Sequence, residues 1–353
     1  MKRRFSRRDV LKASAAVGVS AFATRVVSAA PAAETLTQAL IDAARKEGTV
    51  VWYASVDLPV AERIAKAFEA KYPNVAVKVQ RNGSERLYQR IGQEFSNKIH
   101  AADVVNTSDG AHFVVWKREN LLLPYVPAEA AQHLPKDQQD PDGTFFTWRA
   151  SLSPIGYNTT LVKAEEAPKS FADLLDPKWA GKIVKGHPGY SGTIMTATFQ
   201  IARDLGWEYF EKLAKQRVMQ MQSSTEPPKK LQLGERAVMA DGNEYNMFQF
   251  KEAGQPLEVV YPPEGSPLIT APNSIFKTAP NPNAAKLLQH FLFAGETQQL
   301  TSDVGGVRSF HAQVKEKAGR KPLSEIKLMK DDPEAVEKQS EEIKARYTQI
   351  FRV

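Results

Sequence analysis

The chain has 353 residues, a formal net charge of +7 and no cysteine. The lack of cysteine excludes disulfides, thiolate metal sites and cysteine nucleophiles, and a chain of this length buries enough apolar surface to fold without disulfides. Residues 1–30 contain seven basic residues and one acid, a net charge of +6, so the remainder is nearly neutral. Charge therefore gives no support for a nucleic-acid partner or an anionic-membrane partner.

The N-terminus has the pattern of an export signal. Arg7 and Arg8 are followed by Leu11-Lys12, by an alanine-rich apolar stretch over 13–23 and by small residues at 27–30. This order is typical of a signal peptide, and the paired arginines are similar to a twin-arginine signal. A stretch of 11 residues is too short to span a bilayer, which needs roughly 20. We expect residues 1–30 to direct twin-arginine export to the periplasm.

Strands and helices alternate in the first part of the remaining chain. Predicted elements are a strand at 49–54, a helix opened by Pro59, a strand at 75–79, a helix capped by Ser84 and a strand at 102–106. This order favours a parallel sheet, in which ligands bind at the carboxyl ends of the strands. Three polar turns should meet there, namely Tyr53–Asp57, Arg81–Ser84 and Thr107–Gly110.

A second run of the same character follows. It starts near Ser153–Asn158, continues through Ile183–Thr193 and Val238–Tyr245, and ends with the strand-like segment Leu257–Tyr261. We interpret it as another α/β lobe. An amphipathic helix near 284–293 and a final helix opened by Pro333 complete the chain.

Several polar positions are candidates for ligand contact. The glycine-rich turn Gly186–Thr193 leads into a predicted helix at 194–205, whose free N–H groups and dipole favour an anion. Arg81 ends a strand, where its guanidinium can clamp a carboxylate or phosphate. Ser108 and Asp109 follow the next strand. Each candidate has a structural alternative: the glycine-rich turn can be purely structural, Arg81 can be an ordinary surface residue, and Ser108 can be a helix cap.

Tyr53 is the aromatic candidate for a wall of the site. Alternation along the strand places Trp52 and Tyr53 on opposite faces, and we favour Tyr53 for the ligand side. The alternative for both residues is the core, where buried aromatic side chains usually belong.

Signatures of catalysis are weak. Residues 189–193 nearly form a nucleophile elbow, but Thr193 stands where the second glycine belongs. Phosphate-loop and dinucleotide-binding patterns are absent, and the six histidines show no metal-ligand spacing. We expect no enzymatic activity and no cofactor.

Three segments carry a family resemblance. They are Ile155–Asn158, Ser170–Ile183 and Ser191–Thr193. They resemble the extracellular solute-binding proteins of ABC importers, in the branch that includes ferric-iron, phosphonate and sugar-phosphate binders. The likeness covers nearly the whole chain after residue 30, and the middle segment is the most specific.

The resemblance implies an α/β, two-lobed type II periplasmic binding protein fold. Each lobe is a mixed sheet flanked by helices, and the ligand lies in the cleft between the lobes, which closes by hinge bending. We assign residues 34–150 and 272–353 to the first lobe and residues 151–271 to the second. The chain is expected to cross between them near Arg149–Ser153 and Ala271–Phe276.

The resemblance also implies a function without covalent chemistry. A periplasmic monomer would capture a small solute, favoured as an anionic organic or phosphorylated molecule, and deliver it to an inner-membrane ABC permease. The expected ligand-binding residues are Tyr53, Ser55, Arg81, Ser84, Ser108, Asp109, Tyr157, Tyr190, Ser191, Gly192, Thr193, Glu244 and Tyr245.

Ferric iron is the main alternative ligand. Iron-binding relatives place adjacent tyrosines near the position of Asp241–Asn246, because phenolate oxygens suit a ferric ion. Here Glu244 precedes a single Tyr245, and Tyr157 and Tyr190 would supply further phenolates. A periplasmic enzyme built on the same cleft and a sensory accessory are further alternatives.

Overall fold

The structure is a computed structural model that describes residues 30–353. The predicted export signal, apart from its last residue, lies outside the described residues. None of the helices in residues 30–353 is long and apolar enough to cross a membrane.

Eleven strands and twelve α-helices alternate along the described chain. The strands are β1 (Thr49–Ala54), β2 (Ala76–Arg81), β3 (Val104–Asn106), β4 (Phe146–Leu152), β5 (Ile155–Asn158), β6 (Ile183–Gly186), β7 (Met219–Met221), β8 (Val238–Met239), β9 (Leu257–Val260), β10 (Ser266–Ile275) and β11 (Leu328–Met329). The helices are α1 (Gln38–Glu47), α2 (Leu58–Lys71), α3 (Ser84–Ser96), α4 (Gly110–Arg118), α5 (Ala128–His133), α6 (Gly192–Leu205), α7 (Trp207–Ala214), α8 (Glu226–Gln232), α9 (Glu244–Glu252), α10 (Pro282–Phe293), α11 (Gly295–Gly305) and α12 (Pro333–Phe351).

Two separate mixed sheets define two lobes. In the first sheet the strand order is β11-β10-β3-β1-β2, with β4 beside β10. Strand β1 runs parallel to β2 and β3, whereas β10 runs antiparallel to β3 and β4. In the second sheet the order is β7-β6-β8-β5-β9, with β6 parallel to its neighbours and β5 antiparallel to its own. The predicted two-lobed α/β fold is confirmed.

Each lobe has its own apolar core. Trp52 and Trp148 meet edge to face in the first lobe, with ring centroids 5.4 Å apart. Helix α10 covers the same core through Leu288 and Phe291. The second core is built around residues such as Phe210 and contains Tyr157. Helices cover both faces of the first sheet, so alternation along β1 sends Trp52 and Tyr53 into two different cores.

Local sequence explains most of the helix starts. Pro59 lies in the first turn of α2, where its missing N–H costs nothing. Ser84 was predicted to cap α3, but Gly83 is the cap and Ser84 is the first helical residue. The Ser84 hydroxyl is instead hydrogen-bonded to the Ser108 hydroxyl at 2.7 Å. A long-range partner therefore replaces the expected local one.

The connections between the lobes run through β4 and β10, which pair antiparallel. Strand β4 ends at Leu152 and the second sheet begins at Ile155, close to the predicted crossing. The return comes between Val260 and Ser266, earlier than the predicted Ala271–Phe276, because β10 is one continuous strand of 10 residues.

The last helix departs from the assignment of residues 272–353 to the first lobe. Val336 and Ile343 of α12 pack with Met195 and Phe199 of α6, and Tyr347 enters the second core. The same helix also packs on α4 of the first lobe. The apolar stripe of α12 thus spans both lobes, which a stripe read from sequence alone does not reveal.

Candidate functional site

A polar cleft lies between the two lobes, where the strand ends of both sheets face each other. The cleft holds about 570 Å³ of free space, part of it open to solvent. Its lining residues are Ser55, Arg81, Asn82, Gly83, Ser84, Arg86, Ser108, Arg149, Tyr190, Ser191, Thr193, Gln222, Ser223, Ser224, Thr225, Asn243 and Tyr245.

The first-lobe wall is formed by the predicted polar turns. Ser55 follows β1, Arg81 ends β2 and Ser108 follows β3. The Ser84 hydroxyl accepts a hydrogen bond from the Ser108 backbone N–H at 3.1 Å and pairs with its hydroxyl. Because parallel strands end at the same edge of a sheet, turns distant in sequence form one surface.

Arg149, on the connecting strand β4, is the deepest charged residue of the cleft. Its side chain is buried and its Nη2 donates to the Ser55 hydroxyl at 3.3 Å. Its Nε has no hydrogen-bond partner, and among residues 30–353 no carboxylate oxygen lies within 4.0 Å of its guanidinium. Burial lowers the pKa of Arg149. A guanidinium in this condition is an incomplete anion-binding group, since a buried charge without a counterion is costly.

Arg81 stands beside Arg149 and is partly neutralised. Its Nη2 lies 3.6 Å from an oxygen of Asp57, and its Nε donates to the Val56 carbonyl at 3.3 Å. The other Asp57 oxygen accepts from the Asn246 amide at 2.7 Å. Burial raises the pKa of Tyr245 far above its ordinary value, and the nearby Asp57 carboxylate raises it further. Tyr245 therefore presents a neutral hydroxyl to the cleft.

The second-lobe wall supplies hydroxyl and amide groups. Ser191 caps α6, accepting from the Ile194 N–H at 3.4 Å, and Thr193 lies in the first turn of that helix. Residues 222–225 follow β7, and Asn243 precedes α9. The Asn243 amide donates to the Tyr245 hydroxyl at 3.1 Å. The wall thus offers many neutral donors and acceptors.

The lobes are in contact across the cleft. Arg86 of the first lobe donates to the Gln222 amide oxygen of the second at 3.3 Å. Gly192 lies so close to the first lobe that an added Cβ would stand 2.6 Å from the Asp109 Cβ and 3.0 Å from the Ser108 carbonyl oxygen. The structure therefore represents a closed arrangement of the lobes.

Most of the predicted ligand residues lie in the lining of the cleft. Those that do are Ser55, Arg81, Ser84, Ser108, Tyr190, Ser191, Thr193 and Tyr245. Gly192 lies at the contact between the lobes and leaves no room for a side chain.

Besides Gly192, four predicted residues lie outside the lining. The Tyr53 hydroxyl donates to Glu94 at 2.9 Å inside a first-lobe core, because both sheet faces are covered. Tyr157 lies in the second core, on a strand paired on both sides. Asp109 caps α4 by accepting from the Ala111 N–H at 2.9 Å. Glu244 forms an ion pair with Arg308 at 2.8 Å.

Sequence reasoning missed the most deeply buried arginine of the site. Arg149 lies in a strand whose seven residues are all buried. A charged residue within an otherwise buried strand is a signal that sequence could have given. The polar run Gln222–Thr225, between a strand and the proline-opened α8, was a second such signal.

The site is a poor match for a ferric ion. Of the three predicted tyrosine ligands, only Tyr190 and Tyr245 line the cleft. No carboxylate is among the described lining residues, whereas three arginines are. The buried cluster of Glu85, Asp109 and His112 lies behind the wall and is joined internally, with His112 Nε2 3.1 Å from Glu85.

Comparison with known proteins agrees with this architecture. The profile of the family described as bacterial extracellular solute-binding protein matches residues 63–335. A probable ABC transporter periplasmic-binding protein of Sinorhizobium fredii is 27% identical over 155 residues, 41% of this chain and 42% of that protein.

Two solved structures have the same fold. The periplasmic binding protein AfuA of Actinobacillus pleuropneumoniae, with fructose-6-phosphate bound, is 27% identical with a TM-score of 0.79, covering 87% of this chain and 99% of its own. Iron-bound HitA of Pseudomonas aeruginosa is 21% identical with a TM-score of 0.74, covering 86% and 99%. Because the family profile spans well over half of the chain, the protein belongs to the bacterial extracellular solute-binding proteins.

Proposed function

We propose that this protein is the periplasmic substrate-binding component of an ABC importer and that its ligand is a small phosphorylated, hydroxyl-rich organic molecule. The lobes close around the ligand by hinge bending and the closed form is delivered to an inner-membrane permease. The capture is passive, without turnover and without a resident cofactor. Export through the twin-arginine pathway and a monomeric state belong to the same proposal.

Arg149 is the single observation that carries the choice of an anion. Its guanidinium is buried at the cleft, and among residues 30–353 its Nε has no hydrogen-bond partner and no carboxylate oxygen lies within 4.0 Å of it. A ligand anion that accepts from Nε and Nη2 would complete its hydrogen bonding in the two-pronged geometry that arginine favours.

Charge supports a phosphate ester over a carboxylate. Arg81, Arg86 and Arg149 line the cleft, and Asp57 is the one carboxylate paired with any of them among residues 30–353. Three positive charges against one negative charge leave a surplus of two. A phosphate monoester carries close to two negative charges at pH 7, because its second pKa is about 6.

The remaining lining favours a ligand rich in hydroxyl groups. Serine, threonine, asparagine and glutamine side chains cover both walls, and the aromatic lining residues are Tyr190 and Tyr245. Such a surface can exchange hydrogen bonds with a sugar or polyol, and offers little for a large apolar group. The fructose-6-phosphate bound to AfuA, which is 27% identical, has both features.

Ferric iron is the weaker candidate. It gains support from iron-bound HitA, but at 21% identity that likeness concerns the fold. Three arginines repel a trivalent cation, and Tyr157 is not at the cleft. A hard cation prefers anionic oxygen ligands, and no carboxylate is among the lining residues that the structure describes.

Calorimetry on protein stripped of ligand by unfolding and refolding tests the proposal. Fructose 6-phosphate, inorganic phosphate and ferric citrate are titrated in turn, with visible absorbance recorded. We expect fructose 6-phosphate to bind without colour, and Arg149→Met to weaken its binding by about 100-fold, because a buried charged partner is lost. Arg45→Met, on the exposed face of α1, is the control and should bind normally.

Two outcomes would overturn the proposal. One is tight binding of ferric ion with a tyrosinate charge-transfer colour. The other is phosphate-ester binding that Arg149→Met leaves unchanged.

A further inference from the structure

Helix α9 belongs to the second lobe by its packing on β9, yet four of its side chains are bonded to the first lobe or to the segment that follows α11. These residues are Glu244, Asn246, Gln249 and Glu252. Glu244 is the first helical residue, and Asn246, Gln249 and Glu252 follow at intervals of three, so that successive members of these three are neighbours on the helix surface. We refer to these four residues as the α9 seam.

The buried end of the seam is the ion pair between Glu244 and Arg308. Arg308 Nε lies 3.0 Å from Glu244 Oε2 and Nη2 lies 2.8 Å from Oε1, and both side chains are 1% exposed. The Tyr261 hydroxyl also donates to Glu244, at 2.5 Å. Two parallel hydrogen bonds restrict the relative position of the two groups more than a single bond does.

Arg308 is anchored to the connecting strand that carries the ligand arginine. Its backbone N–H donates to the Ala150 carbonyl at 2.9 Å, and its carbonyl accepts from the Ala150 N–H at 2.7 Å. Ala150 follows Arg149, while Glu244 stands between Asn243 and Tyr245, which both line the cleft. The ion pair therefore connects the ligand contacts of one lobe to those of the other.

The rest of the seam continues outward to the surface. The Asn246 amide donates to Asp57 at 2.7 Å, and the Gln249 amide donates to the Gly305 carbonyl at 3.0 Å. At the outer end Glu252 pairs with Lys317 at 2.6 Å and with Arg320 at 3.1 Å. Each partner belongs to the first lobe or to the segment that follows α11.

We propose that the α9 seam is an inter-lobe clamp that holds part of the ligand-free population closed and thereby sets the apparent affinity. The inference rests on the proposed function, because it assumes a solute captured by closure. If only the closed form binds tightly, the apparent Kd is the intrinsic Kd divided by the closed fraction. A variant that opens the lobes must raise the apparent Kd by the factor by which the closed fraction falls.

The closed fraction can be measured without any ligand. The chain has no cysteine, so Gln89→Cys on α3 and Lys229→Cys on α8 provide a unique pair of spin-label sites, one on each lobe. Both residues are exposed and outside the cleft lining. Pulsed dipolar spectroscopy then gives the distribution of distances between the lobes.

Three variants of α9 are expected to change the distances between the lobes by different amounts. Glu244→Gln removes the buried pair and should move most of the closed population to longer distances. Glu252→Gln, at the outer end where Glu252 is 40% exposed, should produce a smaller shift. Lys251→Gln is the matched control, because Lys251 pairs with Glu258 inside the second lobe. It should leave the distances unchanged.

The affinity measurement completes the test. With fructose 6-phosphate as the probe, Glu244→Gln should raise Kd by the same factor as it lowers the closed fraction. Unchanged distances in Glu244→Gln and Glu252→Gln, with native circular dichroism, would overturn the clamp. If Glu244→Gln does not fold, Glu252→Gln alone decides.

Failure of the two proposals can be told apart. If the wild-type protein does not bind fructose 6-phosphate but Glu244→Gln opens the lobes, the proposed ligand is wrong and the proposed clamp stands. If the wild-type protein binds fructose 6-phosphate but Glu244→Gln and Glu252→Gln keep the wild-type distances between the lobes, the proposed ligand stands and the proposed clamp is wrong.

Discussion

Two buried arginines on neighbouring chain segments have opposite surroundings. Within the part of the chain that the structure describes, Arg149 at the cleft has one hydrogen bond, to Ser55, and its Nε has no partner. Arg308 is bound by Glu244, Glu316 and the Lys321 carbonyl. Burial by itself would lower the pKa of both guanidinium groups. The hydrogen bonds and the charge of Glu244 outweigh burial and raise the pKa of Arg308, whereas the pKa of Arg149 remains lowered.

Burial of a charge therefore does not by itself mark a binding site. The protein itself supplies hydrogen-bond partners and counterions for the Arg308 guanidinium, so Arg308 holds chain segments together. Arg149 is left incomplete, and the missing partner points to a ligand. The contrast is the physical basis of both proposals and can be tested by removing each charge in turn.

The largest expected effect is a difference in stability between two equivalent substitutions. Arg308→Met leaves Glu244 buried without its partner and should lower the free energy of unfolding by about 3–5 kcal/mol. Arg149→Met removes an uncompensated charge and should leave the ligand-free stability unchanged or higher. Chemical denaturation of both variants without ligand measures this. Equal losses of stability would mean that Arg149 is structural as well.

A smaller effect is expected where the lobes touch. Gly192→Ala adds a Cβ that would stand 2.6 Å from the Asp109 Cβ, so closure must stop short. We expect the affinity for fructose 6-phosphate to fall by about 10-fold, or 1.4 kcal/mol, with the melting temperature of the ligand-free protein nearly unchanged.

Gly92→Ala on α3 is the matched control for that substitution, because nothing lies within 4 Å of its added Cβ. It should keep the affinity and raise stability by up to about 1 kcal/mol. Equal affinities of the two variants would contradict the close approach at Gly192.

The smallest expected effect concerns two buried histidines, one of which has carboxylate neighbours while the other has a lysine neighbour. Burial, and then the charge of Lys286, lowers the pKa of His290 to about 4. Burial alone also lowers the pKa of His112, but Asp109 and Glu85 outweigh it and raise the value above 6.5. We expect an NMR titration of the histidine ring protons to show neutral His290 and charged His112 at pH 6.

The two histidines have opposite consequences for stability. For His290 the unfolded chain binds more protons between pH 6.5 and about 4, so the free energy of unfolding falls as the pH falls through that window. The contribution of His112 is fully present below pH 6.5 and is lost as the pH rises through its raised pKa. His290→Asn should reduce the slope of the free energy of unfolding against pH below pH 6.5. An unchanged slope would contradict this prediction.

Sequence patterns predicted the features that depend on local chemistry. The bounds of β1 agree with the predicted strand at 49–54, a run of β-branched and aromatic residues, which are the types enriched in strands. The turns after β1, β2 and β3 meet at the cleft because strand order dictates it. Tyr157 was misplaced because one residue of a strand has the same sequence signal whether it faces a core or a cleft.

Periodicity and composition indicated two successive α/β runs, an N-terminus typical of an export signal and the polar strand ends of the first lobe, and the family resemblance implied the two-lobed fold. Long-range packing left Arg149 without a carboxylate within 4.0 Å among residues 30–353, laid α12 across both lobes and paired Glu244 with Arg308. The reason is physical: whether a charged side chain is completed depends on residues far away in the chain, such as the 64 positions that separate Glu244 from Arg308.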